Sequence, residues 1–316
     1  MKLIHRLTLR LTAVVRQTRD ICSYSLADPD GWELPPFTAG AHVDLHLPGG
    51  RVRQYSLCGD PADRHVYEIA VRREDQGRGG SLHLHREART GDLFGASLPR
   101  NHFPIVNAEH HVLIAGGIGI TPFLSMIAEL EASGRSWELH YACRSPQAQA
   151  FRERLASRAA SGRVHSYFSQ GHPSARLNVD DLFRRLPEGA AAYCCGPARL
   201  IHAARKAARE HGAAERLHDE FFGLPDTTAG TAYVAVLARS GKVVSVGSDQ
   251  TLLQALRLAD VELPSSCEGG VCLECKVRFL EGNPVHRDLT MKPADRASHL
   301  TPCVSGCAGE RIVLDL

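Results

Sequence analysis

Apolar and polar residues alternate in short stretches over the first hundred positions, as in Ala41-His42-Val43-Asp44-Leu45-His46-Leu47 and Tyr67-Glu68-Ile69-Ala70-Val71, with turns such as Pro48-Gly49-Gly50 between them. A period of two punctuated by Pro and Gly predicts an antiparallel barrel or sandwich. From Val112 the pattern changes. An apolar strand is followed by a helical segment opening at Thr121-Pro122, in which Phe123, Ile127 and Leu130 share a face. Further strands are predicted near 137–141, 163–168, 190–194 and 216–222, separated by helical patterns. Ser145 and Pro146 suit the cap and first turn of one helix, ahead of Phe151 and Leu155, and 198–211 reads as the last long one. Five strands alternating with helices predict a doubly wound parallel α/β sheet. Residues 223–230, rich in turn formers, read as a linker. Beyond it, Val234, Val236 and 243–246 flank the turn Ser240-Gly241 as a hairpin, and 251–258 is helical. The expected domains are 1–105, 106–225 and 226–316, without internal repeats.

A chain of 316 residues is long enough for two or three domains with cores of their own. Lys and Arg total 37 against 35 Asp and Glu, a net charge of +2, which excludes a nucleic-acid protein relying on a basic field. Ten Cys, with the charged opening Met1-Lys2-Leu3-Ile4-His5-Arg6 in place of a signal peptide, point to a reducing, cytoplasmic setting and to thiolate ligands. The longest apolar or Gly run, 112–120, falls well short of the ~20 residues that cross a bilayer, so no membrane association is expected.

Cys267, Cys272 and Cys275 are spaced C-x₄-C-x₂-C, the plant-type [2Fe–2S] arrangement, with the fourth thiolate coming from Cys303 or Cys307. Glu268-Gly269-Gly270 supplies two residues that tolerate the dihedrals of a tight ligand loop. A zinc site is the competing reading. Cys₄ zinc modules usually pair two short knuckles, which the single distant cysteine does not provide.

Gly116-Gly117-Ile118-Gly119-Ile120-Thr121-Pro122 follows a strand and opens a helix, where bare backbone can approach a pyrophosphate, Thr121 can cap, and Pro122 loses nothing by lacking an N–H. Cys195-Gly196-Pro197 closes a later strand at the same end of the sheet. Alternation sends Cys195 to the ligand side and Cys194 into the core. In the first domain Arg53-Gln54-Tyr55-Ser56 offers a guanidinium, an aromatic plane and a hydroxyl. Gly77-Arg78-Gly79-Gly80-Ser81 offers backbone N–H groups to an anion, and Arg72 adds charge. Together these suit a flavin mononucleotide.

With these motifs the whole chain resembles the phthalate dioxygenase reductase and vanillate demethylase reductase family. The resemblance implies a flavin-binding β-barrel, an NAD-binding α/β domain and a C-terminal β-grasp ferredoxin domain. It also implies FMN, NADH and one [2Fe–2S] cluster serving a separate Rieske-type terminal oxygenase, with hydride passing to the flavin and single electrons leaving through the cluster. By matching position, Arg53, Tyr55 and Ser56 would hold flavin, and Gly79, Gly80 and Ser81 its phosphate. Gly116, Gly117, Gly119, Thr121, Cys195, Gly196 and Pro197 would align the nicotinamide. Arg144, in Tyr141-Ala142-Cys143-Arg144-Ser145, would lie near the adenosine half. Glu220 and Phe222 would flank the isoalloxazine, and Cys303 would complete the cluster ligands. Arg144 could also read a 2′-phosphate, but the resemblance points to NADH. Where the family reads Cys-Gly-x-Cys, this chain has Cys272-Leu273-Glu274-Cys275, and the added carboxylate predicts a lower cluster potential. Gly306-Cys307 stands where the family has Arg-Ala.

The 17 His invite a metal reading, but His42/His46 and His83/His85 are expected on a solvated barrel surface, the latter pair along a strand. Cys22, Cys58 and Cys143 are expected to pack as small apolar groups, and Arg199, Arg205, Lys206 and Arg209 to form a solvated helix face. Two rival functions are a non-catalytic redox sensor and a zinc-stapled interaction domain fused to a flavoprotein. The charge balance is compatible with a monomer, and the oxygenase's substrate leaves no mark on this chain.

Overall fold

The computed structural model describes residues 6–48, 51–77, 79–170, 176–222, 231–248, 250–265, 268–270, 272–288 and 290–316. The chain divides into two compact units, 1–222 and 223–316.

The first unit opens with an antiparallel sheet of β1 (Arg6–Arg16), β2 (Ile21–Ala27), β3 (His42–Leu47), β4 (Arg51–Ser56), β5 (Val66–Arg72) and, after the short helix α1 (Gly80–Arg86), β6 (Leu93–Ser97). The strand order is β4-β3-β6-β1-β2-β5. A bridge between Leu57 and Ile69, with the Cys58 N–H donating to the Glu68 carbonyl at 2.8 Å, joins the two outer strands and closes the barrel. Closure is confined to that end: among the described residues β4 itself has no ladder with β5, and α1 packs beside the gap. Leu9, Val43, Leu45, Leu57 and Ile69 fill the interior.

The parallel sheet follows: β7 (His110–Gly116), α2 (Thr121–Ala132), β8 (Ser136–Cys143), α3 (Arg152–Ala160), β9 (Val164–Phe168), α4 (Val179–Arg184), β10 (Ala190–Gly196), α5 (Ala198–Glu210) and β11 (Leu217–Phe221). Its order is β11-β10-β7-β8-β9, so the winding reverses between β7 and β10, where an open α/β sheet leaves a crevice beyond the strand ends. One core face carries Leu113, Ala115, Phe123, Ile127, Leu139 and Tyr141, and it also takes in Ile21, Ala39, Ala70 and Phe103 of the barrel. The Glu68–Arg154 ion pair, at 2.9 Å, adds a polar tie between the two parts.

The helix expected from Ser145 is split. Pro146–Ala148 makes a single 3₁₀ turn, and α3 starts only after Phe151, whose φ of 57° breaks the run. His83 and His85 lie on α1, not on a strand, and turn to different faces; His85 reaches the Val71 carbonyl at 2.9 Å. His42 is buried, not solvated: it stacks on His102, and burial pushes its pKa down to about 3. Arg205 leaves the solvated face to bind Asp219 through Nε at 2.8 Å and Nη2 at 2.7 Å, clamping α5 to β11. Cys22, Cys58 and Cys143 are buried as expected.

The second unit contains β12 (Tyr233–Leu237), β13 (Val243–Val246), α6 (Leu252–Leu258), β14 (Val277–Glu281), β15 (Pro284–Val285), α7 (Pro293–Arg296), β16 (His299–Leu300), β17 (Gly306–Cys307) and β18 (Arg311–Leu314). Its main sheet runs β13-β12-β18-β14-β16, with β18 parallel to β12. Thr251 starts α6 through a reciprocal capping box with Gln254. The 223–230 segment read as a linker lies outside the described residues.

Candidate functional site

At the sheet reversal, the ends of β7 and β10 lock together through backbone. A Cβ on Gly119 would stand 2.2 Å from the Cys195 carbonyl oxygen, one on Gly116 would stand 2.6 Å from Pro197 Cδ, and one on Gly196 would stand 2.9 Å from Gly116 Cα. These three glycines are therefore a packing requirement. Gly117 differs: its φ is +56° and nothing lies within 4 Å of its would-be side chain, so the side of its Cα that would carry one faces open space. Thr121 does not cap α2. It is buried, and its hydroxyl donates to the Ile118 carbonyl at 3.1 Å.

Cys194 and Cys195 sit on opposite faces of β10, as alternation requires, in two different cores. Cys195 is fully buried and pairs in register with Glu220 of β11. Burial pushes the Cys195 thiol up, with Glu220 adding to the shift. Glu220 as a residue is only half-buried, yet its Oε2 is shut from solvent with no hydrogen-bond partner among the described residues, and burial raises its pKa to about 8. Phe222, just past β11, is 41% exposed. Arg144 is exposed at the end of β8, its carbonyl accepting from Gln170 N–H at 2.9 Å.

In the barrel, Arg53 and Tyr55 share one side of β4 and Ser56 ends the strand. The Ser56 Oγ is buried without a hydrogen-bond partner among the described residues, and burial pushes the Tyr55 phenol up. The first turn of α1 lies against this strand. A Cβ on Gly80 would stand 2.8 Å from Arg53 Cγ, and one on Gly79, whose φ is +78°, would stand 3.7 Å from the Arg51 guanidinium. Two guanidinium-bearing residues and a glycine backbone thus form a cradle whose donors match a phosphate monoester. Arg51, two positions before Arg53 on the same strand face, escaped the sequence reading. Ser81 Oγ accepts from Glu74 N–H at 3.0 Å, and Arg72 is ion-paired to Glu74, so its charge is shared. Arg78 lies outside the described residues.

In the second unit, Cys275 and Cys303 are buried together with Leu253 and Val304 in one small apolar cluster, and Cys272 is half-buried beside it in sequence. Cys307 belongs to the main core of the unit instead; its Sγ donates to the Arg311 carbonyl at 3.4 Å. A Cβ on Gly270 would stand 2.7 Å from Val304 Cγ2, so the ligand loop can close over the Cys303 segment only as glycine. Leu273 has φ +59° and Glu268 φ +47°, left-handed values that favour glycine. Glu268 is held by Arg257 at 2.7 Å. Cys267 lies outside the described residues. Three described thiols with soft sulfur donors, two of them in a dry core, fit an iron–sulfur cluster.

Residues 236–307 match the 2Fe-2S iron-sulfur cluster binding domain family, and residues 113–206 match the oxidoreductase NAD-binding domain family. The chain is 38% identical to a phthalate dioxygenase reductase of Burkholderia cepacia, covering 98% of this chain and 97% of that one. It is 41% identical to a heme-dependent oxidative N-demethylase beta subunit of Ectopseudomonas mendocina (strain ymp), covering 98% and 99%. Among solved structures, that of phthalate dioxygenase reductase superposes with a TM-score of 0.85 at 37% identity, over 98% of each chain.

Proposed function

Since the chain belongs to the phthalate dioxygenase reductase family, we propose that it passes electrons one at a time from NADH to a Rieske-type terminal oxygenase. It is an oxidoreductase of the oxygenase-reductase type whose cofactors are FMN, NADH and a [2Fe–2S] cluster. The reading is carried by one observation: the thiol cluster around Cys275 and Cys303 sits on the same chain as the glycine-locked crevice and the β4–α1 cradle. Bound FMN supplies the exchange between the two-electron chemistry of nicotinamide and the one-electron chemistry of iron–sulfur.

The chain's own residues bind and align. Arg53, with Arg51, Gly79, Gly80 and Ser81, holds the flavin phosphate, and Arg72 contributes its shared charge from the loop. Tyr55 packs on the ring, and Ser56 brings its buried hydroxyl to the flavin edge. Gly117 opens the crevice to the dinucleotide, while Gly116, Gly119, Thr121, Gly196 and Pro197 fix the crevice wall. Arg144 lies where the adenosine half would end. Cys195 and Glu220 face the nicotinamide site as a dry pair, Glu220 keeping its proton near neutral pH, and Phe222 covers the flavin. Cys267, Cys272, Cys275 and Cys303 ligate iron. Residues 1–105, 106–225 and 226–316 form the three corresponding domains, the setting is cytoplasmic, and a monomer is sufficient for the relay.

Anaerobic NADH titration of the purified protein tests this reading. Flavin absorbance should bleach together with the cluster bands, and the reduced protein should then reduce an added Rieske oxygenase. A cluster that stays oxidised when the flavin is reduced would overturn it. The name of the N-demethylase relative favours a second reading, in which the acceptor is a heme-dependent oxidative enzyme; faster reduction of such a partner than of a Rieske protein would select it.

A further inference from the structure

Outside the electron path, the structure gathers a different donor set on the parallel sheet. Alternation along β8 points Trp137, Leu139 and Tyr141 into the core and leaves Glu138 and His140 on the opposite side. His165 of edge strand β9 stands in register with His140. One ligand atom from each of Glu138, His140 and His165 lies within 4.8 Å of the other two. The His140 Nε2 is 3.3 Å from Glu138 Oε1, and the His165 Nε2 is 3.9 Å from Glu138 Oε2. Ligand atoms about 2.0–2.1 Å from a tetrahedral metal are ~3.3 Å apart, so the His140–Glu138 spacing already matches and a rotation of the His165 side chain has to bring in the third ligand.

Two further observations point to a ligand. The His140 side chain is only 6% exposed, and its Nε2 is buried, aimed at the Glu138 carboxylate and without any other hydrogen-bond partner among the described residues. On the other side of the ring, Nδ1 lies 2.9 Å from the Tyr167 hydroxyl. A proton on Nδ1 leaves the Nε2 lone pair pointing into the cluster, the outer contact that metal-bound histidines characteristically have. The two imidazoles stack at 4.9 Å between centroids and 18° from parallel, so a shared ion requires the His165 ring, on the edge strand, to turn out of the stack.

We propose that Glu138, His140 and His165 form a site for a divalent transition cation of the Zn²⁺ class, separate from the iron–sulfur cluster. Two imidazoles and one carboxylate are the borderline donors such ions select, and three protein ligands leave a fourth position for water. His110, whose Nε2 is 3.8 Å from Glu138 Oε1, is placed to steady the carboxylate or that water. A cation here would pin edge strand β9 to β8.

The test uses full-length protein with its cluster intact and any affinity tag removed, titrated calorimetrically with Zn²⁺. X-ray absorption at the zinc edge then reads the coordination shell. One equivalent of Zn²⁺ in a shell of nitrogen and oxygen only is expected. His165→Gln, at a half-buried edge position, and Glu138→Gln should each weaken binding about tenfold or more while the cluster's visible spectrum is unchanged. Absence of stoichiometric binding, a sulfur-containing shell, or undiminished affinity in both variants would each overturn the proposal.

Discussion

The Cys195 carbonyl oxygen and the α-carbon of Gly119 are in contact so close that a methyl group between them would sit 2.2 Å from the oxygen. Backbone cannot yield there without moving the end of β10. Gly119→Ala should therefore cost about 3 kcal/mol of stability and slow flavin reduction by NADH about tenfold or more, because the crevice wall shifts. Gly117→Ala, which meets only an unfavourable φ, should cost about 1 kcal/mol. Urea unfolding and anaerobic stopped-flow absorbance separate the two; equal losses would contradict the packing argument.

Leu273 occupies a left-handed conformation, φ +59°, one that favours glycine, between Cys272 and Cys275, two of the proposed ligands. Relief of that strain, less the extra freedom of glycine in the unfolded chain, should make Leu273→Gly more stable by about 0.5–1 kcal/mol. Iron and sulfide content should not change. Leu273→Val, with a branched Cβ, should move stability the other way in the same denaturation assay.

Glu274, exposed between Leu273 and Cys275, places a carboxylate next to the cluster ligands. Its negative charge disfavours an added electron, so Glu274→Gln should raise the cluster midpoint potential, by on the order of 20 mV for a solvent-screened charge. Spectroelectrochemical titration of the two proteins gives the sign directly.

Burial holds the Glu220 carboxyl up at about 8, against an ordinary 4.5. Between those values the folded chain keeps a proton that the unfolded chain releases. The stability this group contributes is thus complete below pH 4.5 and is lost as pH rises towards about 8. Relative to Glu220→Gln, the wild type should be more stable at pH ~5 than at pH ~8. Parallel melts across that range in which the difference stays constant would show that Glu220 titrates normally.

Cys303 and Cys307 are four residues apart, yet one joins the Cys275 cluster and the other the main core of the unit. Cys303→Ser should abolish the cluster's visible absorbance and its iron. Cys307→Ser should retain both, at a stability cost of about 1–3 kcal/mol from a buried hydroxyl. Iron retained in the first variant and lost in the second would reverse the assignment.

Much of this was legible from residue order. The barrel strands announced themselves by alternation, and the five parallel strands by long buried runs such as β7 and β10. The cysteine spacing and the glycine loop carried their chemistry in their intervals. What the sequence hid was tertiary. The glycines at 116, 119 and 196 read as ligand contacts, but their shared reason is each other, which depends on β10 inserting beside β7. Arg51 became notable only once α1 packed on β4. The Glu138-x-His140 pair did not stand out in the sequence, being two polar residues of one strand. Its third member arrives from β9, across a register that no local pattern encodes. The early end of the 3₁₀ turn at Ala148 likewise reflects Phe151, whose burial overrides the helix start signal at Ser145.

The interlocked glycines divide the nucleotide crevice into a part that resists change and a part that welcomes it. Any residue with a side chain at 116, 119 or 196 collides with main chain or with Pro197 and Leu200, whereas the tip of β8 around Arg144 projects into solvent. If the proposed placement of the adenosine half holds, re-engineering of coenzyme choice has its entry at this outer rim, where substitutions leave the scaffold in place.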